Sequence, residues 1–133
     1  MAASAFDAYR QVGTVTADPI ALTSMLYEGA LKAIRRARLF ANSGDRQKFI
    51  DETHRAHLII GELLSTLDLE QGDLPRTLAA VYAYCIKCII QSTVGDVGLL
   101  SEAERHMTTI ADAWKTATSQ LTSAGGAGAN AVA

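Results

Sequence analysis

The chain has 133 residues, of which 49% are hydrophobic and 20% are charged, and its formal net charge is -2 at pH 7. This length supports one domain with a hydrophobic core of its own. The slightly acidic balance argues against nucleic acid as a partner, because duplex-binding proteins carry a basic excess that displaces counterions.

The cellular compartment is also constrained by the sequence. Cys85 and Cys88 are the only cysteines and lie in one apolar run, which argues against a disulfide framework and favours a reducing environment. We expect no signal peptide, because the first residues include a charged pair and no long apolar segment. No apolar stretch approaches the roughly 20 residues of a membrane span. We therefore expect a soluble, cytoplasmic protein without stable membrane insertion.

Residues 1–17 form the first predicted unit, an N-terminal arm. They lack helical periodicity but contain large apolar side chains, among them Phe6 and Tyr9. An apolar segment outside the helices either docks back onto the domain or contacts a partner.

Prolines and glycines divide the following residues into four predicted helices. Asp18-Pro19 has the form of an N-cap followed by proline at the first helical position, and Asp73-Leu74-Pro75 repeats that form. Glycines follow the helical patterns at their other ends, at Gly44, Gly72 and Gly95. The helices are predicted at about residues 19–42, 46–70, 74–93 and 97–120.

Apolar side chains recur at helical spacing in every one of these segments. In the last segment the stripe consists of Leu100, Ala103, Met107, Ile110, Trp114, Ala117 and Leu121. Trp114 continues this stripe, so we assign it to the core. The pattern predicts an all-α fold, an antiparallel up-down four-helix bundle over residues 18–120, with room for one short extra helix. No charged or large side chain follows Leu121, and we predict a disordered tail over residues 121–133.

The third helix has more apolar surface than one core-facing stripe requires. One stripe contains Tyr82 and Cys85, and a second, rotated stripe contains Ile86 and Ile90. Either this helix is central and covered by its neighbours, or the second stripe is exposed and binds a partner.

Candidate catalytic and metal-binding motifs are weak. Cys85 and Cys88 form a CxxC in the middle of a helix, whereas redox pairs lie at helix N-termini. His54 and His57 lack the further ligands that a metal site requires. We therefore predict no catalytic residues, no metal and no cofactor.

Five segments of the chain carry recognisable motifs in register. They are AYRQVGTVTADP (8–19), IALTSMLYEGALKAI (20–34), GELLSTLDLEQG (61–72), VYAYCIKCII (81–90) and ADAWKTA (111–117). Together they resemble the flagellar secretion chaperones of the FliS family: the first two are similar to the family's tyrosine-bearing arm and first helix, and the others to later family motifs. The resemblance covers residues 5 to 118.

The resemblance implies a non-enzymatic cytoplasmic bundle that binds the disordered C-terminal region of flagellin. Such a chaperone blocks premature polymerisation and delivers its client, the protein that it escorts, to the flagellar type III export gate. It also implies that the arm covers part of the client site when that site is empty, with Phe6 and Tyr9 as the lid residues.

From the apolar stripes and this resemblance together we predict the client contacts. They are Leu22, Met25, Leu26, Tyr27, Leu31, Ile59, Leu63, Tyr82, Ile86 and Ile90. Each could instead be a core residue, and we expect about half of them to be core. We expect the second stripe of the third helix to face the first helix or the arm.

Two other functions remain open at this point. One is a helical adaptor or regulator of a different secretion or transcription factor, and the other is a metal-dependent bundle enzyme. Exposed apolar stripes also leave open a homodimer of the client-free protein.

Overall fold

The computed structural model describes residues 18–132, with side chains as far as residue 121. Within this part all regular secondary structure is α-helical and there is no strand, as predicted. The N-terminal arm with Phe6 and Tyr9 lies outside the described residues. The four helices are α1 (Pro19–Ser43), α2 (Arg46–Ser65), α3 (Asp73–Ser92) and α4 (Leu99–Val132).

The first helix begins and ends where the sequence predicts. The Asp18 side chain accepts a hydrogen bond from the Ile20 amide at 3.0 Å, and Pro19 occupies the first turn. At the other end Gly44 adopts φ 77°, a left-handed conformation that costs other residues free energy. The Asp45 amide then donates to the Phe40 carbonyl at 3.0 Å, which closes the helix.

The second helix ends at Ser65, five residues before the predicted end. The amides of Thr66 and Leu67 bond three residues back, which tightens the last turn. The Asp68 side chain then accepts from the Glu70 amide at 3.0 Å, a local bond that competes with helix formation. The apolar pattern continues through this turn, so periodicity alone overestimates the length of the helix.

The third helix begins differently from the prediction. Gly72, at φ 107°, is the residue before the helix, and Asp73 is already in its first turn. Asp73 therefore acts through its negative charge near the helix N-terminus, where no side-chain cap bond is formed.

The fourth helix runs to Val132. It therefore passes through residues 121–132, where a tail was predicted. The side chains from residue 122 onward lie outside the described residues, and the disordered tail stays a prediction.

The helices form an antiparallel bundle in which sequence neighbours pack together and α4 closes on α1. Arg46 at the start of α2 reaches Thr93 just after α3. Ser24 early in α1 reaches Trp114 near the middle of α4, whereas Arg38 nearer the end of α1 pairs with Glu104 nearer the start of α4. Each helix therefore has two neighbours, and α3 lies diagonally across from α1. No helix in the described part is long and apolar enough to cross a membrane.

Small and large side chains divide the core between them. Ala30, Ala33 and Ala37 on α1 are fully buried and allow α2 to approach closely. Large side chains from the other helices fill the remaining space, among them Phe49, Ile59, Ile60, Leu63, Ile89, Leu100 and Met107.

A pair of tyrosines crosses the centre of the bundle. The hydroxyl oxygens of Tyr27 on α1 and Tyr82 on α3 are 2.5 Å apart, and both residues are buried. Burial raises the pKa of both phenols above the ordinary value of 10.0. Burial likewise raises the pKa of the Cys85 thiol to about 12. All three groups are therefore neutral in the folded protein at physiological pH.

A pair of glycine substitutions tests the helix-end assignment. Gly44→Ala should lower the free energy of unfolding by about 1 kcal/mol, because a side chain disfavours the left-handed conformation. No atom lies within 4 Å of a Cβ at either Gly44 or Gly61, so neither substitution produces a clash. Gly61→Ala, in the interior of α2, should raise the free energy of unfolding by about 0.5–1 kcal/mol. Urea denaturation of both variants measures this, and equal effects of the same sign would contradict the assignment.

The buried phenols and thiol predict how stability depends on pH. Unfolding frees Cys85 to ionise from about pH 9.0 and the tyrosines from about pH 10.0, whereas the folded state keeps these protons longer. The unfolded state then binds fewer protons, so stability must fall as pH rises above about 9. Urea midpoints from pH 7 to 11 measure the slope. A Tyr27→Phe/Tyr82→Phe double variant should show a shallower fall above pH 10, and an unchanged slope would contradict this origin.

Candidate binding surface

The outward face of α3 carries almost no charge. Its exposed positions beyond the first turn are Thr77, Ala80, Ala83, Tyr84, Lys87, Ile90 and Gln91. Lys87 is the single ionic side chain among these seven, and Ile90 is 48% exposed. Val94, directly after the helix, is 82% exposed. A helix that faces only water normally carries charges on its outer side, so this face has the composition of a contact surface.

The outward face of α1 is a useful contrast. Its three arginines are exposed, and each lies near a carboxylate within the bundle. Arg38 lies 2.5 Å and Arg35 3.4 Å from Glu104, and Arg36 lies 3.7 Å from Glu52. The two pairs with Glu104 are largely solvated and contribute little to stability, whereas Glu52, the partner of Arg36, is buried. Because each of the three arginines is paired with a carboxylate of the same chain, the cluster is not an open anion-binding site.

A groove runs between α2 and α3 beside the uncharged face. Its cavity is about 220 Å³. The seven lining residues are Ile50, Thr53, His54, His57, Ile89, Ile90 and Thr93. Ile90 therefore lies next to α2. The stripe was expected to face the first helix or the arm; the first possibility is wrong because α3 is diagonal to α1, and the second lies outside the described residues.

A larger cleft of about 340 Å³ lies on the opposite edge, between α1 and α4. Tyr27, Leu31, Ala111 and Trp114 supply its apolar walls. The charged side chains around it are of both signs: Glu28, Arg35, Asp112 and Lys115. This edge thus combines an apolar floor with a mixed polar rim, which is typical of a binding cleft.

Trp114 is a cleft residue as well as a core neighbour. It is half-buried, whereas the sequence assigned it to the core. Its indole Nε1 donates to the Ser24 hydroxyl at 2.8 Å, and its ring centroid lies 5.9 Å from that of Tyr27. The strict stripe of α4 could not reveal this, because the bundle leaves α4 partly uncovered at that turn.

Charged groups on α3 and α4 form a separate surface cluster. Glu102 is 2.7 Å from Arg105 and 3.1 Å from His106, and Tyr84 donates to it at 3.4 Å. The hydrogen bond from Arg105 is the main reason that the pKa of the Glu102 carboxyl is lowered. The described residues contain no group of three or more side chains able to share a metal ion.

The ten predicted contact residues divide by burial. Six are buried in the core: Leu26, Tyr27, Leu31, Ile59, Leu63 and Tyr82. Leu22, Met25 and Ile86 are half-buried, and Ile90 is exposed. Tyr27 and Leu31, though buried, also line the α1/α4 cleft.

Three residues at the candidate surface were not predicted as contacts from the sequence. His54 and His57 line the α2/α3 groove, and Val94 extends the exposed α3 face. The histidines were noted only as metal candidates, and Val94 falls beyond the periodic pattern. Exposure around a helix end is set by the loop, which periodicity does not describe.

Comparison with known proteins places this bundle in a family. The family model described as flagellar protein FliS matches residues 2–121. The flagellar secretion chaperone FliS of Bacillus subtilis (strain 168) is 36% identical over 113 residues, which cover 84% of each chain. The protein of the same name from Escherichia coli (strain K12) is 35% identical over 121 residues, covering 86% of this chain and 89% of the relative.

A third relative, the flagellar secretion chaperone FliS of Salmonella typhimurium, is 34% identical over 120 residues. All three names denote flagellar secretion chaperones, a non-enzymatic family. The chain therefore belongs to the FliS family of flagellar secretion chaperones, and it is not an enzyme.

Proposed function

We propose that this chaperone binds the disordered C-terminal segment of flagellin in the cytoplasm, as a 1:1 complex without a cofactor. Binding keeps the segment from polymerising early, and the complex delivers flagellin to the flagellar type III export apparatus. The relatives' names support a secreted flagellar client. The choice of flagellin as that client comes from the resemblance described above.

The uncovered apolar face of α3 carries the proposal. A disordered segment loses conformational entropy when it binds, so it must gain free energy along a long surface. Burying the exposed parts of Ile90 and Val94 contributes on the order of 1 kcal/mol each. The outer face of α3, with a single charge, offers apolar contacts along several turns. A helix of the client could pack against this face in the helix-in-groove mode of recognition.

The α1/α4 cleft is the site that we assign to the arm as a lid. Tyr9 precedes Asp18 by nine residues, which reach about 30 Å when extended. Tyr27, in the cleft wall, lies only about 14 Å along α1 from Asp18. Phe6 and Tyr9 can therefore reach the apolar floor formed by Leu31 and Trp114. Flagellin competes for this cleft in the proposed cycle.

A charge on α3 tests the proposed client surface. Ile90→Glu should weaken binding of monomeric flagellin at least tenfold, because it places a carboxylate in the apolar contact, while leaving stability nearly unchanged at a half-exposed site. Leu39→Glu is the matched control, since Leu39 is 66% exposed on α1 beside paired arginines. Isothermal calorimetry measures both. Equal affinities for the two variants would contradict the α3 site, and absence of flagellin binding by the wild type would contradict the function.

Removal of residues 1–17 tests the lid. If the arm competes with the client, the truncated protein should bind flagellin as tightly as the full chain or more tightly, because no competitor must be displaced. The same calorimetric titration measures this. A large loss of affinity would show instead that the arm contacts the client directly.

A further inference from the structure

Two histidines without partners border the α2/α3 groove. His54 and His57 are one turn apart, and both line the 220 Å³ cavity beside Ile90. Neither imidazole has a hydrogen bond or ion pair with any other described residue. Every imidazole carries at least one N–H donor. The groove therefore presents unused donors next to an apolar cavity.

The groups around these histidines favour an acidic partner. None of the seven lining residues is a carboxylate. Arg46 lies at one end of the groove, where its Nη2 donates to the Thr93 carbonyl at 2.8 Å, and Lys87 is exposed on the adjacent face of α3. Asp51, one turn before His54, already accepts from Gln47 at 2.9 Å. A carboxylate that enters the groove thus meets donors and cations.

A glycine continues the same face of α2. Gly61 lies four residues after His57, which places it one turn further along this face and, in the antiparallel pair, beside the turn of α3 that holds Ile86. Glycine in a helix interior costs about 0.5–1 kcal/mol relative to alanine. Nothing lies within 4 Å of a Cβ built there, so packing inside the chain does not require glycine. The open space allows another backbone to approach α2.

We infer that the α2/α3 groove binds a helix of the client, with its backbone closest at Gly61 and a carboxylate bonded to His54 and His57. An apolar side chain of that helix enters the cavity beside Ile90. This inference rests on the proposed chaperone function and adds to it the chemistry of the bound segment: an apolar stripe flanked by Asp or Glu.

The alternatives fit this groove less well. A symmetric dimer would place the groove against its own copy, whose groove lining offers no carboxylate to the two histidines. The arm enters the bundle at the start of α1, which is diagonal to α3. A separate acidic chain therefore complements the groove better than either part of this protein.

Steric filling of the groove gives the first test. Gly61→Leu in the full chain should weaken binding of monomeric flagellin at least tenfold, whereas Ser65→Leu, at an exposed position one turn further on, should stay within twofold of wild type. Calorimetry measures affinity, and thermal unfolding checks that both variants fold. Wild-type affinity in a folded Gly61→Leu variant would overturn the inference while leaving the proposed function intact.

Charge reversal gives the second test. His54→Glu/His57→Glu should weaken flagellin binding at least tenfold. Arg55→Glu, which makes the same charge change of -2 when the histidines are neutral, lies on the same helix outside the groove lining and should weaken binding less than threefold. Equal effects of the two would overturn the carboxylate assignment.

If Gly61→Leu instead abolishes a dimer of the client-free protein in sedimentation and leaves flagellin affinity unchanged, the groove belongs to a second copy and the inference fails. A wild-type chain that binds no flagellin would reject the proposed function itself.

Discussion

In a four-helix bundle each helix has only two neighbours, and the surface of this protein follows from that constraint. Three of the helices have the residue pattern that two neighbours require, because each combines a core-facing apolar stripe with a largely polar outer face. The third helix does not, since its outer face from Thr77 to Gln91 has one charge. The described residues leave that face exposed, so its apolar area is available for contact with a partner.

Local residue chemistry made most of the fold predictable. The Asp18 cap, the proline that follows it and the left-handed Gly44 set the ends of α1 as expected. The end of α2 was less predictable, because Leu67 keeps the apolar spacing while Asp68 favours a turn through its own side chain. Two signals compete there, and only the three-dimensional packing of the loop decides between them.

The sequence was sufficient to identify α3 as the helix with the candidate surface, but it identified only some of the residues on that surface. Periodicity identified two stripes on α3, and the structure makes the Tyr82 stripe core and leaves Ile90 exposed. On α1 the sequence left each candidate open between client contact and core, and the structure buries Leu26 and Leu31 through contacts that depend on how α2 and α4 are placed. The polar residues of the α2/α3 groove gave no periodic signal, so only their position next to Ile90 reveals them.

The short turn between α1 and α2 has a consequence for the order of folding. Gly44 and Asp45 alone connect these two helices, whereas longer loops precede and follow α3. Closing a short loop costs less chain entropy than closing a long one, and local contacts form fastest. We therefore expect the α1/α2 hairpin to form early and α3 to join it later. In a nascent chain the surface assigned to the client would then be among the last to be assembled.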